Sequence, residues 1–130
     1  MREIKFRAWD KDMKGMLYGN DFYYLAMCFD KGIDYLFNHS KFKVMQFTGL
    51  KDSKGVDIYD GDIVKFMNKY YTTLSKDDIL EVTWEDDDSR VCLYKKEGIH
   101  RYHYFGFNEV NPKDVKVIGN ICENKELLKS

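Results

Sequence analysis

The sequence predicts an all-β domain, a small barrel or sandwich built from short antiparallel strands. Two observations carry that prediction. Apolar runs are short, and several alternate with polar residues, the period-two pattern of a strand with one buried face. Between them stand turn-forming clusters, Thr48-Gly49, Lys51-Asp52-Ser53-Lys54-Gly55 and Asp60-Gly61-Asp62, spaced for a compact β scaffold. The 130 residues fit one domain, and the only proline, Pro112, leaves no Pro-rich linker. Two β lobes within residues 1–130 remain open as an alternative. A chain of this size buries about two-thirds of its unfolded surface, enough for one core.

The elements follow in order. From Ile4 to Trp9 the residues alternate: Ile4, Phe6 and Ala8 face one way, Lys5, Arg7 and Trp9 the other. Asp10 to Gly15 turns the chain, and Met16 to Tyr18 returns as the second arm of a hairpin. Asp21 to Phe37 carries both a helical stripe and strand-favouring aromatics, broken by Gly32. Strand or irregular structure is the expectation there, since periodicity alone does not decide a short apolar run. Phe42 to Phe47 reads as a strand and Thr48 to Gly55 as a loop. Val56 to Tyr59 is short and extended, Asp60-Gly61 redirects the chain, and Ile63 to Met67 is a strand. Gly61 supplies the backbone freedom, and Asp60 or Asp62 accepts hydrogen bonds from nearby N–H groups. Leu80, Val82 and Trp84 share one face of a hairpin arm that Val91 to Lys95 answers across an acidic tip, Asp86 to Arg90. Arg101 to Phe107 is a further strand and Asn111 to Asp114 a turn. Val115 to Ile118 is a short strand closed by a Gly119-Asn120 turn and Ile121. Glu123 to Leu128 forms one helical turn or frays.

Charge and cysteines bound the function. Charged residues make up 33% of the chain, yet the net charge is -1, so no strong pull toward nucleic acid or anionic lipid is expected. The three cysteines, Cys28, Cys92 and Cys122, read as free thiols of a reducing cytosol. Arg2, Glu3, Lys5 and Arg7 interrupt any amino-terminal apolar run, and no stretch approaches the roughly 18 residues of a spanning helix. A cytoplasmic protein without membrane contact is expected.

Three blocks resemble a known family. Met1 to Asp10 is similar to the opening of the YopX family of phage and prophage proteins. So are Gln46 to Asp52 with Ile58 to Val64, and Val117 to Ile121 with Glu123-Asn124 and Leu127-Leu128. Gly19 to Lys41 and Asn68 to Val110 carry no such signature. The resemblance implies a mainly β protein in the cytoplasm of an infected or lysogenic bacterium. It supplies no catalytic or binding residues.

The residues themselves point away from chemistry. On an extended strand His100 and His103 face opposite sides, and no cysteine stands at zinc spacing. No Ser or Cys lies in a recognisable His–acid arrangement, and Thr48-Gly49-Leu50-Lys51 lacks P-loop spacing. No enzyme, metal or cofactor is expected. Thr48, Gly49, Asp60, Gly61, Asp62, Gly119 and Asn120 read as turn motifs. Lys5, Arg7 and Trp9, with Arg101, Tyr102 and Tyr104, form the candidate interaction surface. Exposed tyrosine and open strand edges favour self-association or binding to a phage or host protein. The alternative is a small nucleic-acid-binding β-barrel, in which the same basic and aromatic side chains contact bases and phosphates.

Overall fold

Arg7, at the centre of the first sheet, has a sheet neighbour on either side. In the computed structural model, which describes residues 5–19, 41–68, 77–85, 90–95, 101–104 and 110–128, the protein is all-β. The chain divides into two compact units, Met1–Phe47 and Thr48–Ser130. The readings of Asp21 to Phe37, of the acidic tip Asp86 to Ser89 and of Phe105 to Phe107 lie outside the described residues. No helix among the described residues is long and apolar enough to cross a membrane.

In the first unit β1 (Phe6–Asp10) lies between β2 (Gly15–Tyr18) and β3 (Phe42–Lys51), antiparallel to both. Ala8 stands opposite Leu17 on one side and Val44 on the other. With Phe6 and Phe42 these residues form the apolar cluster of the unit. Asp10 ends the strand and builds the turn after it, because its Oδ1 accepts the Asp12 and Met13 N–H at 3.0 and 3.1 Å.

The opposite face of β1 departs from expectation. Arg7 was expected on an outward face and is 2% exposed. Its cross-strand neighbours are Tyr18 and Met45, and its guanidinium reaches the Tyr18 hydroxyl at 3.4 Å and the Met45 sulfur at 3.6 Å. A central strand has a neighbour on each side, so the long stem of Arg7 is covered by the side chains beside it. Alternation separates the two faces of a strand; it does not make the second face wet.

β3 carries the chain into the second unit, and here the strand is longer than the sequence implies. It runs through Thr48 to Lys51, where a loop was expected. Gly49 sits inside it at φ +87°, so the glycine bends the strand and does not end it. The turn proper is Ser53 to Gly55, with Gly55 at φ +80°.

The remaining strands are β4 (Asp57–Tyr59), β5 (Asp62–Phe66), β6 (Ile79–Glu85), β7 (Arg90–Lys95), β8 (Arg101–Tyr104) and β9 (Val115–Asn120). β4 neighbours β3, while the last five form a sheet in the order β8-β7-β6-β5-β9. One face of that sheet holds the core. Val64 pairs with Leu80 and with Val117, Val82 with Leu93, Trp84 with Val91 and Phe66 with Val115. Ile58 and Val110 join the same cluster. Cross-strand apolar pairs of this kind are the unit of sheet stability. The β6–β7 hairpin is present at the expected place. β9 differs: Gly119 and Asn120 are strand residues paired with Ile63 and Asp62, and the turn begins at Ile121. A shift of register between Ile63 and Val64 takes up the extra residue of β9 as a bulge. Pro112–Asp114 and Lys125–Leu128 are short 3-10 turns.

Candidate functional site

The polar residues of the second and third sequence blocks meet at the ends of β5 and β9. Each is held by a backbone group of its own chain. Gly61, at φ +87°, donates its N–H to the Val82 carbonyl at 2.8 Å and accepts from the Ile121 N–H at 2.8 Å. Asp62 is buried, and its Oδ2 accepts the Tyr59 N–H at 2.7 Å. The Asp60 Oδ1 turns elsewhere, toward the Trp84 N–H at 3.3 Å. The two carboxylates therefore serve two different backbone donors. Thr48 is buried as well; its hydroxyl donates to the Ile58 carbonyl at 2.6 Å and accepts the Leu50 N–H at 3.2 Å, locking β3 to β4 beside Gly49.

Asn120 stands opposite Asp62 and organises the turn after β9. Its Oδ1 accepts the Cys122 and Glu123 N–H at 3.0 and 2.9 Å, and its Nδ2 donates to the Glu123 carboxylate at 3.3 Å. Asn124 returns the favour, its Oδ1 accepting the Asn120 N–H at 3.2 Å. Gly119 is required by that close approach, because a Cβ there would lie 2.6 Å from the Asn124 Oδ1.

Two residues went unassigned in the sequence although their motifs were visible. Asp52 is 4% exposed and holds three backbone N–H groups at once. Its Oδ1 accepts Lys54 and Val56 at 2.8 and 2.9 Å, and its Oδ2 accepts Val117 at 2.8 Å, 65 residues away. The Asp-Ser-Lys-Gly spacing signals the local turn; nothing in it signals the long reach to β9. Asn124 is the other, and its signal was only its place in the terminal block.

One member of the candidate interaction surface is not exposed. Arg7 is buried, and Lys5 lies over the Phe47 ring at 4.4 Å. Trp9 is half-buried. Arg101, Tyr102 and Tyr104 belong to β8 in the second unit, described there by their backbone. Among the described residues no group of three His, Cys, Asp or Glu side chains could hold a metal ion. The Asp52 carboxylate, with three backbone N–H groups on its two oxygens, acts as a structural anion.

The family model described as "YopX protein" matches residues 5–129. The chain belongs to the YopX family. The match to the YopX model takes in Lys5 to Asp10 of the first block, both later blocks and the stretches between them. Among solved structures, the crystal structure of protein EF1440 from Enterococcus faecalis is similar, with a TM-score of 0.57 at 21% identity. That likeness covers 99% of this chain and 100% of the other, so the YopX fold is shared along its length. No curated protein matches the chain.

Gly61 offers a direct check on this backbone-centred view of the YopX blocks. Gly61→Ala is expected to lower stability by about 1–2 kcal/mol, since a side chain at positive φ is strained. Gly15→Ala is the control, because a Cβ at Gly15 meets nothing within 4 Å. Urea denaturation should shift the midpoint for the first substitution and leave the second near the parent.

Proposed function

We propose that this YopX protein is a non-catalytic phage or prophage accessory protein of the bacterial cytoplasm. It works by surface contact with protein, either a second copy of itself or a phage or host protein. The observation that supports this reading is that Asp52, Asp62 and Asn120 each accept backbone N–H groups of their own chain. The residues that mark the family build the scaffold, which leaves function to the surface. The experiment is light scattering on the purified chain, whose monomer mass is 15.5 kDa. A larger, defined mass, or a defined complex with one phage or host protein, is the expected result. A monomer at every concentration, joined by no protein partner, counts against the reading.

Nucleic-acid binding is the second reading. The net charge of -1 and the burial of Arg7 weaken it. A salt-sensitive shift of single- or double-stranded oligonucleotides at low ionic strength would reverse that ranking.

A further inference from the structure

β9 is the last strand of the five-stranded sheet, and the backbone groups it does not give to β5 would form an open row of donors and acceptors. Five of those groups are met by the chain itself. The Val115 N–H donates to the Pro112 carbonyl, and the Val115 carbonyl accepts from the Ser53 N–H at 2.9 Å. The Val117 N–H donates to the Asp52 Oδ2 at 2.8 Å. The Asn120 N–H donates to the Asn124 Oδ1 at 3.2 Å, and its carbonyl accepts from the Asn124 N–H at 2.8 Å. None of these partners belongs to a strand.

We propose that Asp52-Ser53 and Asn124 are an edge guard, which stops a strand from a second copy of this chain adding to β9. The chemistry at position 52 carries the inference. The local turn needs one acceptor oxygen, and Oδ1 alone serves Lys54 and Val56. An asparagine would build that turn equally well. The second oxygen is spent wholly on the edge of β9. A carboxylate is the side chain that offers acceptors in both directions, and its charge strengthens the long-range bond. The guard is independent of the proposed function: it identifies an edge at which self-association does not take place.

The test is Asp52→Asn in the full chain. The amide oxygen keeps the bonds to Lys54 and Val56, while its NH2 group faces the Val117 N–H, donor against donor. The turn stays and the guard opens. Light scattering across a concentration series should show the variant approaching roughly twice the mass of the parent. In native-state hydrogen exchange the Val117 amide should exchange about tenfold faster than in the parent when dilute, and regain protection when concentrated. Asn124→Ala, which opens the Asn120 N–H and leaves Asp52 in place, is the second variant and should behave alike at Asn120. The parent's own mass tests the proposed function; the difference between variant and parent tests the guard. A folded variant whose mass follows the parent at every concentration overturns the proposal. So does a mass that rises while the opened amide stays unprotected. Failure of both variants to fold would make these residues part of the folding core, which also overturns it.

Discussion

Asp52→Ala is expected to lower the free energy of unfolding by about 4 kcal/mol. One buried side chain holds three backbone N–H groups, two in its own turn and one on β9. Each bond to a charged acceptor contributes roughly 1.5–3 kcal/mol, and bonds that share one acceptor are not additive. Val56 is 48% exposed, so water takes over part of its loss. Val117 packs against the core and has less help. Asp52→Asn keeps two of the three bonds and should lose about 1–2 kcal/mol. Urea denaturation of both variants measures the difference; an Asp52→Asn variant as stable as the parent would mean that the reach to β9 contributes nothing, and equal losses that the turn bonds contribute nothing.

Gly119→Ala is expected to be the next largest, at about 2–3 kcal/mol. The added carbon would stand 2.6 Å from the Asn124 Oδ1, 2.7 Å from its Cγ and 2.8 Å from its Cβ. Rotating the amide does not relieve a clash that includes the Cβ. The Asn124 side chain must leave, and its bond to the Asn120 N–H goes with it. A double-mutant cycle isolates the cause: in an Asn124→Ala background the same glycine substitution should be much milder. An unchanged penalty in that background would remove the steric account.

The fold class and most strand positions were legible because they rest on local signals. The β6–β7 hairpin shows it best, with Leu80, Val82 and Trp84 alternating against Val91 and Leu93. What the sequence obscured has a common cause. Gly49 and Gly119 were read as turn formers, since glycine most often marks a reversal. Gly49 instead bends a continuing strand, and Gly119 makes room for a side chain. Both roles depend on what lies across the sheet. Arg7 misled in the same manner, its burial decided by Tyr18 and Met45 and by no neighbour along the chain. Asp60 and Asp62 were expected to accept backbone N–H groups, and the donors proved to be Trp84 and Tyr59. The Trp84 donor, 24 residues distant, had no local signature.

The pairing of β5 with β9 spans a long intervening segment, Asp62 meeting Asn120 and Phe66 meeting Val115. Closure entropy grows only slowly with loop length, so residues inserted between these strands should be tolerated well. Speed is the other side of the same topology. Contacts so remote in the chain form late, and sheets that depend on them fold slowly. During translation the second unit has no partner for that side of β5 until the final strand clears the ribosome, and the apolar groups of the nascent chain stay uncovered for that interval.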